Sequence, residues 1–250
     1  MWNGRRRVAA VFGALASYLF VAACGATPSF PPAAPTTGHR AVPSERTFRA
    51  SDLAKSDIDV AAEVHLRECL ASARLLMEKL YRRNPREWRK GSAANIDDAV
   101  ARAFDPHARF RFAELGNLHG ADAVLLALDP DYTGDRVFTF GVGISSMIFL
   151  AYNGKTELYL TDVLDPQKLY NSARNIELAA WKLANARDTR GEPLLVSNEM
   201  RAGDSNLSFE REFGKMIAYQ DAMAQIAGQR TNRTIRRVVQ ILATSMFLPI

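Results

Sequence analysis

The sequence predicts a mainly α-helical protein, with a single helical globular domain over residues 51–250 that follows a disordered tether. Two observations favour this fold class. Apolar residues between positions 58 and 80 recur at the three- and four-residue spacing of one helix face. Asp165-Pro166 places an N-cap residue directly before proline, which is favoured at the first position of a helix. The domain is long enough to bury a hydrophobic core of its own.

The helices can be placed from their start and stop signals. Ser56 and Asp59 have the spacing of a capping box, which predicts that the first helix begins there. That helix is expected to end at Asn84, because the residue before Pro85 avoids the helical region. Four further helices are predicted, over residues 95–104, 167–187, 207–226 and 234–246.

The middle of the chain allows two interpretations. Val137 to Tyr152 is a run of residues without a charge. Its length favours a buried helix, since a continuous apolar run longer than about eight residues is long for a strand. The alternative is a small β-hairpin around 137–164, in which Asn153-Gly154 would form the tight turn.

The N-terminal residues 1–23 have the layout of a secretory signal peptide. Three arginines at positions 5–7 precede an uncharged stretch that ends in small residues. The stretch is shorter than the roughly 20 residues that a membrane-spanning helix needs. A cysteine, Cys24, follows it directly, in Val-Ala-Ala-Cys.

This arrangement resembles the lipobox of bacterial lipoproteins. The resemblance implies cleavage before Cys24 and attachment of lipid to its thiol, so that a membrane is a partner through the anchor. Because Gly25 rather than aspartate follows, it also implies delivery to the periplasmic face of the outer membrane. More than one acyl chain is needed for stable anchoring, which a triacylated Cys24 would provide.

Removal of the signal peptide changes the charge balance. The whole chain has a net charge of +5, from 32 basic and 27 acidic residues. Without the three leader arginines 29 basic residues remain, and the net charge falls to +2. The mature chain is therefore not basic enough to predict a nucleic-acid partner. With Cys24 lipidated, Cys69 would have no partner for an intramolecular disulfide.

Residues 24–50 are predicted to form a flexible, Pro/Thr-rich tether after the lipidated cysteine. Five of the 11 prolines lie between positions 25 and 47. Such a segment cannot hold a helix or a sheet ladder. At about 3 Å per residue, roughly 20 extended residues would reach about 60 Å, which is enough to hold the domain away from a membrane surface.

No catalytic residue, metal or cofactor is predicted. His65 and Cys69 would share one helix face, but no second pair with ligand spacing accompanies them, so a packed histidine and a buried thiol are expected. The chain has no Walker loop, dinucleotide fingerprint, His-Glu-x-x-His or Gly-x-Ser-x-Gly motif. A hydrolase with dispersed catalytic residues stays open as an alternative.

Two segments are candidates for binding. The first combines cations and aromatic rings in the way of an interaction hot spot, for a partner protein or an anionic surface, although a solvated helix end is the alternative. The second is a basic stripe before the uncharged residues 238–250, which fits either a membrane-surface helix or a core helix. The first segment comprises Tyr81, Arg82, Arg83, Arg86, Trp88 and Arg89, and the stripe comprises Arg230, Arg233 and Arg237.

Residues 165–177 and 206–214 resemble segments of a family of proteobacterial envelope lipoproteins, and this resemblance implies no activity. The leading functional hypothesis is a lipid-anchored envelope protein that binds or organises a partner protein. The alternative is the binding or transfer of an acyl chain in an apolar pocket. Its expected lining is Phe138, Phe140, Ile148 and Phe149.

Overall fold

The protein is mainly α-helical, as predicted. The computed structural model describes residues 54–201, 204–232, 235 and 246–250. In these residues, two three-residue strands pair antiparallel beside six α-helices. The helices are α1 (Asp57–Arg83), α2 (Ile96–Ala103), α3 (Gly120–Ala127), α4 (Arg136–Ala151), α5 (Pro166–Asn185) and α6 (Ser208–Thr231), and the strands are β1 (Glu199–Arg201) and β2 (Asp204–Asn206).

The capping box predicted for α1 is confirmed. The Asp59 N–H donates to Ser56 Oγ at 3.3 Å, and the Ser56 N–H donates to Asp59 Oδ2 at 2.8 Å. At the other end, the Asn84 N–H donates to the Leu80 carbonyl at 2.8 Å. The first helix therefore begins and ends where its local signals place it.

The uncharged run forms helix α4, and the alternative prediction of a β-hairpin around 137–164 is wrong. Every residue of α4 except Leu150 is buried. Asn153 and Gly154 have φ angles of 58° and 66°, and the Gly154 N–H donates to the Phe149 carbonyl at 2.9 Å. Asparagine and glycine readily adopt positive φ angles, which suit a hairpin turn. Here the same conformation ends a helix.

Helix α4 begins at a buried polar cluster. Asp135 Oδ1 accepts the Phe138 N–H at 2.9 Å, which caps the helix, and Asp135 Oδ2 accepts the Tyr81 hydroxyl at 2.8 Å. Burial raises the pKa of Asp135 and, together with the nearby carboxylate, that of Tyr81. The cluster fixes the start of α4 to the end of α1.

The other helices surround α4. It packs against α1, α2, α3 and α5, and α6 closes the far side by packing on α1 and α5. Gly143 lies where α4 meets α3, and a Cβ placed there would be 2.7 Å from Val124 Cγ2. Helix α3 was not predicted. Its eight residues are too few to form a stable helix in isolation, so it depends on packing contacts such as this one.

The last described residues, 246–250, are hydrogen-bonded to α5. The Asn175 side chain hydrogen-bonds both backbone polar groups of Leu248. Its Oδ1 accepts the Leu248 N–H at 2.7 Å, and its Nδ2 donates to the Leu248 carbonyl at 2.8 Å. Asn171 Nδ2 donates to the Pro249 carbonyl at 2.8 Å. Apart from Ile235 and Met246, the predicted helix over 234–246 lies outside the described residues.

The described hydrophobic core lies within one compact unit, Phe48–Ile250. This part of the chain therefore buries its own core and is a self-contained folding unit. In the described residues, no helix is both long enough and apolar enough to cross a membrane.

Candidate functional site

A cavity of about 490 Å³ opens between α1, the end of α4 and the two loops that follow α2 and α4. We call it the apolar pocket, after four of its lining side chains: Leu70, Phe104, Phe110 and Phe149. Its rim also carries charged and polar residues: Asp105, Arg109, Lys155, Thr156 and Glu157. Its volume lies in the range of roughly 300–1,000 Å³ that is typical of small-molecule sites. Predominantly apolar lining is also typical of such sites.

The phenylalanines form a continuous wall. The rings of Phe104 and Phe110 meet edge to face, with centroids 5.8 Å apart, and those of Phe110 and Phe149 are 5.6 Å apart. Edge-to-face pairs are favoured by the ring quadrupole beyond the area they bury. The wall is therefore held in shape without a ligand.

The backbone at the pocket is in an uncommon conformation. Arg109 and Phe110 have φ angles of 48° and 58°, in the left-handed region that bulky residues rarely adopt. Each such residue costs on the order of 1–3 kcal/mol, and strained residues cluster at functional sites. In this conformation Phe110 lines the pocket and is buried.

The rim of the pocket is formed by the loop after α4, which is hydrogen-bonded to α1 and to the residues just before it. The Leu158 N–H donates to Glu63 Oε1 at 2.8 Å, and Lys55 forms a buried ion pair with the same carboxylate. The Leu160 N–H donates to the Ala54 carbonyl at 2.9 Å. These bonds position the rim residues 155–157 beside the cavity.

A second cavity, of about 520 Å³, adjoins the first. We call it the cationic cleft, because Arg109 and Arg111 line it, beside His107 and His119, and no acidic residue does. The two cavities share Arg109, Phe149 and Gly154. An apolar site and a basic site therefore lie on the two sides of one wall.

Arg109 is one of the three residues that line both cavities. Its Nη2 donates to the Gly154 carbonyl at 2.7 Å, and its guanidinium lies 5.7 Å from the centre of the Phe149 ring. A guanidinium has five N–H donors, so this bond leaves donors for a ligand. The side chain is thus positioned by protein contacts while it still borders both cavities.

Of the residues predicted to form a contact surface around Trp88, mainly the arginines are accessible in the structure. Tyr81 is buried and donates to Asp135, so it cannot contact a partner. Trp88 is half-buried against the core, with the Arg89 guanidinium 5.2 Å from its ring centre. The remaining predicted members are exposed or half-buried: Arg82, Arg83, Arg86 and Arg89.

Arg230, the described member of the predicted basic stripe, has a structural role. Its guanidinium donates to Asp59 Oδ1 at 2.6 Å, next to the start of α1. Burial acts to raise the pKa of Asp59, but hydrogen bonds from Ser56 and Arg230 outweigh it and lower that pKa. Cys24, Arg233 and Arg237 lie outside the described residues.

His65 and Cys69 are packed side chains, as expected. The His65 ring lies 5.4 Å from that of Tyr219, and the Cys69 thiol donates weakly to the Met216 carbonyl at 3.8 Å. Burial raises the pKa of Cys69 to about 12, which keeps the thiol protonated and unreactive. In the described part of the chain, no group of three potential metal ligands occurs.

Of the four residues predicted to line an acyl-chain pocket, Phe149 lines both cavities and the other three line neither. Phe138, Phe140 and Ile148 are fully buried in the core and border neither cavity. Sequence reasoning missed the segment between Phe104 and Phe112, where phenylalanines alternate with arginines and a histidine. That mixture was the available signal for a site with both apolar and basic walls.

No protein-family model, curated protein or solved structure matches this chain. No activity can therefore be transferred to it from a relative. Its function has to be inferred from the geometry and chemistry of its own cavities.

Proposed function

We propose that this protein is a lipid-anchored envelope lipoprotein whose helical domain binds an apolar chain in the apolar pocket. The observation that carries the proposal is the 490 Å³ cavity with its wall of phenylalanines. Apolar surface left open to water is costly, at about 25 cal/mol per Å². A ligand that covers this wall would recover that free energy.

The affinity for a series of n-alkanols tests the pocket. Each added methylene is expected to strengthen binding by about 0.8 kcal/mol, which is roughly fourfold, until the chain fills the pocket. The measurement is isothermal titration calorimetry on residues 25–250, which include the whole compact unit. Affinities that do not depend on chain length would contradict the proposal.

Filling the pocket is expected to abolish this binding. Leu70 lies on α1 and lines the cavity, so Leu70→Trp would place an indole in the space of the ligand and weaken decanol binding by at least about tenfold. Leu75→Trp on the exposed face of the same helix is the matched control and is expected to bind normally. Equal affinities of the two variants would place the ligand elsewhere.

The anchor is proposed from the Val-Ala-Ala-Cys motif that ends at Cys24. We expect the wild-type chain to incorporate labelled palmitate and to sediment with membranes. Cys24→Ala is expected to lose the label, and a variant that stays fully membrane-bound would contradict the proposal. Cys69→Ala is the matched control, because that thiol is buried in the core.

A second candidate function is the binding of a partner protein through the exposed cations at the end of α1. The observation that favours it is the group of Arg82, Arg86 and Arg89 beside the half-buried Trp88. Crosslinking in cells, with recovery of the same partner by wild-type protein and not by Arg86→Glu/Arg89→Glu, would support it. Identical recovery by both proteins would exclude this surface.

A further inference from the structure

We propose that the ligand is an anionic amphiphile, whose chain lies in the apolar pocket and whose phosphate or carboxylate head lies in the cationic cleft. This inference rests on the proposed function and adds the chemistry of the head group. Its first support is position, because the two cavities meet at Arg109, Phe149 and Gly154. A chain that ends at this wall brings its head group to the edge of the cleft.

The second support is charge. Arg109 and Arg111 line the cleft together with two histidines, and no acidic residue lines it. Within the described residues, the side chains of Arg111 and His107 have no hydrogen bond or ion pair with protein groups. Asp105, which lines the neighbouring pocket, accepts the His107 backbone N–H at 2.9 Å, but neither Arg109 nor Arg111 forms an ion pair with it. An anion bound beside the two guanidinium groups would balance their positive charge.

The third support is the contrast with surface cations that are already paired with a carboxylate. Lys155 on the pocket rim pairs with Asp162 at 2.6 Å, and Arg102 nearby pairs with Glu114 at 2.6 Å. Arg174 on α5 pairs with Asp221 at 2.7 Å. Arg109 and Arg111 form no such pair within the described residues, and unlike the exposed Arg82 and Arg86 they line one of the two cavities.

The guanidinium groups also set the class of head group. Arginine donates two parallel hydrogen bonds to a carboxylate or a phosphate, and such charge-assisted bonds are about twice as strong as neutral ones. A hydroxyl head lacks the charge, and an ammonium head would be repelled. Fatty carboxylates and alkyl phosphates share the chemistry that the cleft selects.

The test compares decanol, decanoate and decyl phosphate, each below its micelle concentration, by calorimetry on residues 25–250. The two anions are expected to bind at least about tenfold more tightly than decanol, and added salt is expected to weaken only the anions. Equal affinities for all three would overturn the head-group inference and leave the apolar pocket in place. Failure of all three to bind would overturn the proposed function itself.

Arg111→Glu locates the head group. The variant is expected to lose the preference for the anions while its affinity for decanol stays unchanged. Arg86→Glu makes the same charge change on an exposed arginine outside both cavities and is expected to keep the preference. An anion preference that survives Arg111→Glu, or that is lost equally in both variants, would overturn the assignment. The ratio of the wild-type affinities for decanoate and decyl phosphate identifies which anionic head the cleft favours.

Discussion

Replacing Asp135 with alanine is expected to lower the free energy of unfolding by about 3 kcal/mol. The substitution removes the cap of α4, which is typically a loss of about 1 kcal/mol. It also leaves the buried Tyr81 hydroxyl without its acceptor, which costs about 1–3 kcal/mol. The measurement is urea unfolding of residues 25–250, followed by circular dichroism.

Asn95→Ala is the matched control for this prediction. Asn95 Oδ1 caps α2 by accepting the Asp98 N–H at 2.8 Å, but it is exposed, so its removal leaves no buried group unsatisfied. We expect a loss of about 1 kcal/mol there. Losses of similar size at Asp135 and Asn95 would show that the buried hydroxyl contributes nothing.

Two further variants separate the cap from the hydroxyl. Since burial raises the pKa of Asp135 and disfavours its charge, Asp135→Asn is expected to destabilise less than alanine. Combining Asp135→Ala with Tyr81→Phe removes the orphaned hydroxyl, so the double variant is expected to lose less than the sum of the single losses. Strict additivity would contradict the coupling inferred from the 2.8 Å bond.

Gly143→Ala is expected to destabilise the domain by about 2–3 kcal/mol, at the upper end of ordinary overpacking. The new Cβ would lie 2.7 Å from Val124 Cγ2 and 2.8 Å from the Val124 backbone nitrogen. A side chain can rotate away from such a contact, but the backbone of α3 cannot do so without moving the helix. The measurement is the shift of the urea midpoint.

Gly141→Ala on the same helix is the matched control. Its Cβ would meet the Met77 side chain, with Sδ at 2.8 Å. Methionine is flexible, and alanine favours the helix over glycine by about 1 kcal/mol, so the net effect is expected to be small. If Gly141→Ala were the more damaging substitution, the close approach of α3 to α4 would not limit the packing.

The helices with strong end signals could be predicted from the sequence. The capping box at Ser56 and the Asp165-Pro166 pair are local features, and they placed α1 and α5 to within two residues. Helix α6 continues to Thr231, five residues beyond its predicted end at Ile226. Its residues remain packed in the interior as far as Gly228, which is buried. For α6, the sequence therefore located the start better than the end.

The cavities could not be predicted in the same way. Their walls come from α1, the loop after α2, the end of α4 and the loop after it, and no periodic pattern connects segments so far apart in sequence. The left-handed conformation of Arg109 and Phe110 also has no signal in residue type, since neither residue favours it. Tertiary packing imposes that conformation and creates the site.

The hydrogen bond between Leu160 and Ala54 has a mechanical consequence. The chain enters the described part of the domain at Ala54, and there it is tied directly to the loop that forms the rim of the apolar pocket. Because this bond joins the two segments, a displacement of the backbone at Ala54 would be transmitted to the mouth of the pocket as well as to α1, which begins three residues further on.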